Sequence, residues 1–270
     1  MVEAAPGGGV VTPGPAVRTL RVDGARLLRW VDGFVERHGP LSPAVPAGTA
    51  AGQPAGLSLS RVTSAGTAAE RSAGVLLVAA DGASAELLPP FPLPVEASAG
   101  GPADVLAEVD ALASAALADR SVAVLLVRRG GYAVALIRAG RLVASRTGTR
   151  YVQGRTAAGG WSQQRFARRR DNQTSALVAA IVETALRVLA VHPEGASGRT
   201  GPVEPGGQAV EWLATGGDRA LVGRVMADPR LAGLSALRRG PHLPVGDPRR
   251  DVVRALPELL RQVTVVVREP

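Results

Sequence analysis

Cysteine and lysine are both absent from this chain of 270 residues. Without cysteine, a disulfide scaffold, a catalytic thiolate, an iron–sulfur cluster and a cysteine-ligated zinc site are excluded. Histidine occurs three times, at widely separated positions, so we expect no histidine-rich metal site. The lysine-bearing loop that cradles phosphates in many nucleotide-binding proteins is excluded as well. The sequence therefore predicts a protein that uses no metal and no other cofactor.

Long apolar segments are also scarce. The longest one, residues 175–191, is interrupted by Glu183 and Arg187, so we expect no membrane-spanning helix. The N-terminus shows no basic flank followed by an apolar core, which is the pattern of a secretory signal. These features predict a soluble cytoplasmic protein.

Positive charge is concentrated in one part of the chain. All 31 basic residues are arginine, which together with the richness in Ala, Gly, Pro and Val is typical of a GC-rich genome. Residues 121–170, however, contain eleven Arg and neither Asp nor Glu. The charge of +11 that this segment carries exceeds the net charge of +8 of the whole chain. Such a local field indicates a polyanionic partner. The alternative is that the arginines reflect codon bias alone and bind no RNA.

Composition and periodicity divide the chain into three parts. Residues 1–19 are rich in Gly, Pro and Ala and show no periodicity, which predicts a disordered tail. Residues 20–100 predict a small α+β domain with a helix over 23–38 and a hairpin turn at Asp81. A cluster of Gly and Pro then marks the boundary to a second domain, residues 101–270.

The second domain alternates helices and strands. It begins with a predicted helix over 103–118. Three apolar runs, at 122–127, 132–137 and 142–145, are separated by glycine-containing turns and predict an antiparallel meander. A long helix begins near Ser162, with its apolar positions on one stripe.

The C-terminal third continues this pattern. Asp218 is predicted to cap a helix, and a further helix over 249–261 is expected to be strained or broken near Pro257. A strand over 263–267 ends the chain. Together the elements predict an α/β fold, a mixed sheet with an antiparallel meander and packed helices, preceded by the small α+β domain.

The most informative segment is residues 159–173, GGWSQQRFARRRDNQ. Gly159 and Gly160 allow the backbone to approach a partner closely in conformations that other residues avoid. Ser162 is a favoured helix N-cap, and a helix N-terminus presents backbone donors and a partial positive charge. This combination is suited to contact with a polyanion.

Arginines at helical spacing follow the glycines. Arg165, Arg168 and Arg169 lie three or four residues apart, so they share a helix face that can follow RNA phosphates. Trp161 and Phe166 are placed to stack on bases, or else to anchor the helix. The alternative interpretation of the segment is a flexible loop ahead of a solvated basic helix.

The segment resembles the middle domain of archaeal and eukaryotic class-one peptide-release factors, where a Gly-Gly-Gln tip is followed by Ser, two variable residues and Arg-Phe-Ala-Arg. The positions that match are Gly159, Gly160, Ser162, Arg165, Phe166, Ala167, Arg168 and Arg170. Trp161 holds the place of the glutamine, and Gln163 and Gln164 follow two and three places later. This displaced glutamine is similar to the Vms-like release factor (VLRF) family, whose actinobacterial branch suits the arginine-only composition. The likeness covers roughly residues 120–270.

The resemblance implies a peptidyl-tRNA hydrolase, a carboxylic ester hydrolase that releases the nascent peptide on stalled ribosomes or large subunits in ribosome rescue and translation quality control. Its partners would be the large ribosomal subunit and peptidyl-tRNA, with no cofactor and no membrane. Gln163 is the first candidate for the catalytic amide and Gln164 the second, with Gly159 and Gly160 shaping the loop. The RNA-binding residues implied are Arg155, Trp161, Arg165, Arg168, Arg169 and Arg170.

Two alternatives stand beside this hypothesis. The protein would be a non-catalytic ribosome- or tRNA-binding factor if Trp161 has replaced the catalytic amide.

A literal Gly-Gly-Gln triplet also occurs and ends at Gln208. It lies between Glu204 and Glu211 with no arginine-rich helix behind it, and we interpret it as coincidence. His242, between two prolines, is expected in a loop rather than as a catalytic base.

Overall fold

The computed structural model of the protein describes residues 16–41, 74–92, 102–150, 162–189 and 209–270, and for residues 102–104, 162–167 and 170 it describes the backbone alone. Most of the predicted tail, residues 1–15, lies outside the described residues. The described part of the chain forms two β-sheets with helices packed on them, which confirms the predicted α/β class.

The strands are β1 (Val17–Asp23), β2 (Val75–Val78), β3 (Ser84–Leu88), β4 (Ser121–Arg128), β5 (Gly131–Arg138), β6 (Arg141–Thr149), β7 (Trp212–Gly217), β8 (Arg238–Leu243) and β9 (Gln262–Arg268). The helices are α1 (Leu27–His38), α2 (Pro102–Leu117), α3 (Ser162–Val188), α4 (Arg219–Met226), α5 (Ala232–Ser235) and α6 (Arg250–Leu259). Short 3₁₀ turns precede α1 and α5.

The larger sheet has five strands in the order β6-β5-β4-β7-β8. Strands β4, β5 and β6 form the predicted antiparallel meander, and β7 and β8 join it in parallel to β4. Residues 121–127 of β4 and 131–137 of β5 are all buried, because helices cover both faces of the sheet. Their unbroken apolar sequences follow from this double burial.

Two hydrophobic clusters cover the two faces of this sheet. Helices α3 and α4 pack on one face, where Leu177, Ile181 and Val225 meet the strand residues. Helix α6 packs on the other face through Val253 and Leu256. Successive side chains of β4 therefore point into alternate clusters: Ala123, Leu125 and Val127 pack under α3 and α4, and Val122, Val124 and Leu126 pack under α6.

The smaller sheet is antiparallel throughout, in the order β1-β9-β3-β2. The hairpin predicted at Asp81 joins β2 to β3, and Asp81 Oδ1 accepts a hydrogen bond from the Ala83 amide at 2.9 Å. Helices α1 and α2 cover one face of this sheet. Helix α1 ends at His38, as the predicted helix over 23–38 does, and the Gly39 that follows has a φ of +86°, which suits glycine.

Both ends of the described chain contribute to the smaller sheet. Strand β1 begins at Val17, within the residues predicted to be a disordered tail, and it pairs with β9 from the C-terminal end. Helix α2 packs against this sheet as well, although residue 100 was the predicted boundary. Val263, Val265 and Val267 of β9 are buried in the same hydrophobic cluster as residues of α1 and α2.

Two local predictions differ from the structure. His242, which was expected in a loop, lies on strand β8, because the pairing partner β7 lies more than twenty residues earlier and gives no local signal. Helix α6 continues through Pro257 and ends two residues later. The hydrogen bond from the Leu260 amide to the Leu256 carbonyl, 3.0 Å long, closes that last turn.

Candidate nucleic-acid interface

Helix α3 carries most of the residues that the sequence analysis singled out. It begins at Ser162, as predicted, and runs for 27 residues, which corresponds to a length of about 40 Å. Of the predicted apolar stripe, Val188 is partly buried, and the other members are fully buried against the larger sheet: Leu177, Ile181, Ala185 and Leu189. The C-terminal half of the helix is thus the part anchored in the core.

The N-terminal half of α3 carries polar residues. Among the α3 side chains that the structure describes, Leu177 is the first that is buried, whereas Arg168 and Arg169 are exposed. Gln163 precedes Leu177 by fourteen residues, so its backbone lies about 21 Å further along the helix axis. The first turns of the helix are therefore displaced from the apolar stripe toward the N-terminal end.

Three side-chain contacts fix α3 on its neighbours. The guanidinium of Arg224 on α4 donates to Asp171 Oδ1 and Ser175 Oγ, each at 3.3 Å. Tyr132 on β5 is hydrogen-bonded to Thr184, and both side chains are buried. These contacts hold the helix from Asp171 to its C-terminal half. The arginines at positions 165, 168, 169 and 170 precede this part of the helix.

A further ion pair joins α3 to the 3₁₀ turn before α5. Arg230 donates to Glu183 Oε1 at 2.6 Å and to Asp228 Oδ2 at 3.0 Å. Hydrogen bonds to Asp228 and Glu183 raise the pKa of the Arg230 guanidinium and keep it charged. Because all three side chains are partly exposed, this ion pair adds little to the free energy of unfolding. Its main effect is to orient α3 relative to the 3₁₀ turn.

The structure places the predicted site residues as follows. Gln163, Gln164 and Arg165 lie in the first turns of α3, followed by Arg168, Arg169 and Arg170 on the same helix. Gly159, Gly160, Trp161 and Arg155 lie outside the described residues, as does the second triplet, Gly206 to Gln208. The structure thus brings both candidate glutamines and the helical arginines together at one end of α3.

The carboxyl ends of the parallel strands β4 and β7 meet at one edge of the larger sheet. The Asp218 amide donates to the Val127 carbonyl at 2.7 Å, and Arg128 donates to the Val245 carbonyl at 2.8 Å. Gly217 has a φ of +88°, and a Cβ there would lie 2.2 Å from the Val127 carbonyl oxygen. Edges of this kind commonly hold the ligand sites of α/β proteins.

Asp218 is the predicted N-cap of α4. Its Oδ1 accepts from the amides of Ala220 and Leu221 at 3.0 and 3.1 Å, which confirms the prediction. Arg129, on the turn between β4 and β5, lies 3.8 Å from its other carboxylate oxygen. The cap therefore joins the start of α4 to the turn that follows β4.

His242 was expected in a loop, and the structure corrects this. It lies on β8, half-buried, with Nδ1 3.0 Å from Thr215 Oγ1 and Nε2 3.2 Å from the Gly217 carbonyl oxygen. A carbonyl oxygen can only accept, so Nε2 donates to Gly217. The pairing of β7 with β8 shifts register between Leu213 and Thr215, and the imidazole bridges the strands beyond that shift. No sequence pattern indicated this contact.

No group of three or more His, Asp or Glu side chains that could hold a metal ion occurs within the described parts of the chain. Likewise, none of the described helices is both long and apolar enough to cross a membrane. Arg168 and Arg169 give the N-terminal part of α3 an exposed positive surface, which we refer to as the basic end of α3.

Comparison with known families shows which family this chain belongs to. A family model described as Actinobacteria/chloroflexi VLRF1 release factor matches residues 120–266, more than half of the chain. The chain belongs to this release-factor family. The matched region begins one residue before β4 and contains the entire larger sheet and α3. The VLRF resemblance predicted from the loop–helix junction is thereby confirmed.

Membership in the VLRF1 release-factor family gives the protein a release-factor-like role, which implies interaction with the ribosome. No curated protein matches the chain. The matched region ends at residue 266, within β9, so the family match extends into a strand of the smaller sheet.

Proposed function

We propose that this protein is a peptidyl-tRNA hydrolase that frees the nascent peptide on stalled ribosomes or large ribosomal subunits. The observation that supports the proposal is the position of Gln163 and Gln164. They lie in the first turn of α3, and the backbone of Gln163 is about 21 Å along the helix axis from Leu177, the first buried residue among the α3 side chains that the structure describes. Exposed Arg168 and Arg169 follow on the same helix. Both candidate glutamines thus precede exposed arginines on one helix, within a release-factor family domain.

The chemistry required is ester hydrolysis. Water adds to the carbonyl carbon that joins the peptide to the tRNA 3′ end, and the bond to the ribose oxygen breaks. The products are the peptide acid and the tRNA hydroxyl. A glutamine amide is too weak a base to remove the proton outright, but it orients water and stabilises developing charge through hydrogen bonds. The arginines would hold the helix against RNA phosphates while this occurs.

Of the two glutamines, Gln163 is our first candidate. Gln163 lies closer to the glycine pair, at Gly159 and Gly160, which would let the backbone enter a narrow RNA cleft. Arg155, Trp161, Arg165 and Arg170 belong to the same proposed interface. Action on ribosomes would place the protein in the cytoplasm.

Peptide release tests the proposal directly. We would measure labelled peptide freed from peptidyl-tRNA on large subunits by the wild type, Gln163→Ala and Gln164→Ala, with Gln173→Ala on the same helix as the matched control. We expect release to fall at least about a hundredfold in one of the first two variants, as when an enzyme loses a hydrogen bond to its transition state. Subunit binding should stay unchanged in that variant.

A non-catalytic ribosome- or tRNA-binding factor is the second candidate, and Trp161 favours it. This residue occupies the place of the glutamine in the Gly-Gly-Gln tip. An indole offers one donor and stacks on bases, so it would bind RNA without activating water. Salt-sensitive subunit binding without any peptide release by the wild type would establish this candidate and refute the hydrolase.

A further inference from the structure

A cavity of about 440 Å³ lies at the edge of the larger sheet where β4 turns into β5. The residues that matter for its chemistry are Gly130, Thr147, Thr149, Asp247, Arg249 and Arg250. We refer to it as the turn cavity. The volume is within the range of pockets that hold small ligands. The sequence analysis assigned no function to these residues.

Three separate segments build the turn cavity. The turn after β4 supplies Gly130, the end of β6 supplies Thr147 and Thr149, and the start of α6 supplies Arg249 and Arg250. Pro248 is buried beside them, close to the space that a Cβ on Gly131 would occupy. The cavity is thus a feature of the packed fold rather than of a single loop.

The donors of the turn cavity exceed its acceptors. Arg249, which directly precedes α6, and Arg250, its first residue, are exposed, and the two threonines add hydroxyl groups. Asp247 is the single carboxylate among the lining residues that the structure describes, and its Oδ2 lies 3.5 Å from Arg249. The chain neighbours of the lining segments, Arg129 and Arg150, are exposed arginines.

Space for a ligand extends to the backbone. A Cβ built on Gly130 would meet no atom within 4 Å, so the turn backbone faces open space. Gly148 has no such room, because a Cβ there would lie 2.4 Å from the Tyr132 ring. The open glycine therefore leaves room beside the turn, whereas the closed one serves packing.

We propose that the turn cavity binds a phosphate of a single-stranded RNA segment, as a second contact besides the basic end of α3. Guanidinium and hydroxyl groups, which Arg249, Arg250 and the two threonines supply here, recognise phosphodiesters. Among the described residues, the lining contains no aromatic side chain on which a base could stack, which favours the backbone of the nucleic acid over its bases. The assignment rests on the proposed function in that it names a subsite for the same RNA partner.

The test uses the full chain and a fluorescein-labelled single-stranded RNA of twelve nucleotides, with anisotropy read at several salt concentrations. The double variant Arg249→Gln/Arg250→Gln should raise Kd about tenfold, and the slope of log Kd against log salt should fall by about 0.7 for each phosphate that is no longer neutralised. The control, Arg29→Gln/Arg37→Gln, removes the same charge from exposed positions of α1 on the smaller sheet and should change Kd less than twofold.

Two further variants separate site binding from general charge. Gly130→Met fills the cavity without changing charge and should weaken RNA binding about fivefold, whereas Gly33→Met, equally open on α1, should not. Asp247→Asn removes the lining carboxylate and should tighten binding about twofold to threefold. Inorganic phosphate should compete only at millimolar concentration. Competition at concentrations near the Kd of the RNA would assign the cavity to the free anion instead and overturn the proposal.

The outcomes distinguish this proposal from the proposed function. If Arg249→Gln/Arg250→Gln binds RNA no more weakly than the α1 control, the turn cavity is not an RNA site, even where the wild type releases peptide. If the wild type releases no peptide but these variants lose RNA affinity, the hydrolase fails while the phosphate site stands. Melting curves of each variant verify that it is folded.

Discussion

The phenolic hydroxyl of Tyr132 lies 3.1 Å from the hydroxyl oxygen of Thr184 and joins β5 to α3 inside the core. Thr184 donates its own hydrogen to the Ala180 carbonyl at 2.8 Å, so Tyr132 is the donor in this pair. The ring of Tyr132 passes over Gly148 of β6, where a side chain would collide with it. One directional contact thus fixes the basic helix on the meander.

Substitutions in this pair should be unequal. Tyr132→Phe removes one hydrogen bond and leaves Thr184 with its bond to Ala180, so we expect a loss of about 1 kcal/mol in the free energy of unfolding. Thr184→Val leaves the Tyr132 hydroxyl buried without its acceptor and should cost more, roughly 1–3 kcal/mol. Urea unfolding of both variants checks this order, and a larger loss for Tyr132→Phe would contradict it.

The contact of Thr215 with His242 yields a second prediction. Because Nε2 donates to Gly217, Nδ1 of the neutral ring accepts from the Thr215 hydroxyl. We expect Thr215→Val to lower the free energy of unfolding by about 1 kcal/mol, since it removes the hydrogen bond that joins Thr215 to the half-buried imidazole. Peptide release at a permissive temperature should be unchanged. Unchanged stability combined with abolished release would show instead that the pair takes part in chemistry.

The N-cap of α4 can be tested with two variants. Asp218→Ala removes the acceptor for the Ala220 and Leu221 amides and should cost about 1 kcal/mol in thermal or urea unfolding. Asp218→Asn retains an acceptor oxygen, so it should recover most of this loss. Equal losses in the two variants would attribute the effect to the charge pair with Arg129 rather than to capping.

Glu86 should make stability depend on pH. It lies on β3 with 3% of its surface exposed, and burial raises the pKa of its carboxyl above the ordinary 4.5, against the opposing charge of Arg268 at 3.7 Å. Folding therefore favours the protonated acid. The stability that this group contributes is complete below 4.5 and is lost as the pH rises through the raised folded pKa.

We therefore expect Glu86→Gln to gain free energy of unfolding relative to the wild type as the pH rises from about 4 to about 7. Chemical unfolding at each pH measures the difference. The control, Asp110→Asn, changes an exposed carboxylate of α2 and should show no comparable trend. A difference between Glu86→Gln and the wild type that stays constant with pH would contradict the prediction.

The basic end of α3 gives a prediction for binding. Arg168→Gln/Arg169→Gln should weaken subunit binding and lower its salt dependence, because each phosphate that is no longer neutralised takes about 0.7–0.9 from the slope. The fold should be unaffected, since both side chains are exposed. Filter binding at several salt concentrations measures the slope. A slope equal to that of Arg29→Gln/Arg37→Gln would exclude these two arginines from the interface.

Local patterns were sufficient for the elements that interact mainly with their chain neighbours. The meander follows from three apolar runs separated by tight turns, and strand pairing between β4, β5 and β6 needs only those turns. Helix α3 follows from its cap and its apolar stripe, and the loop–helix junction carried the family resemblance that the match over residues 120–266 confirms. Gln163 and Gln164 could be singled out because their motif is contiguous.

The sequence by itself therefore determined the fold class, the meander, α3 and the release-factor family, because each of these is encoded in short-range periodicity or in one continuous motif. Only the tertiary structure decided that β9 completes a sheet with β1, that His242 bonds Thr215, and that Gly130 and Arg249 line one cavity. Each of these joins residues far apart in the chain. Whether two such residues meet depends on which whole face of a sheet or helix is buried against which other face. No local sequence pattern encodes that.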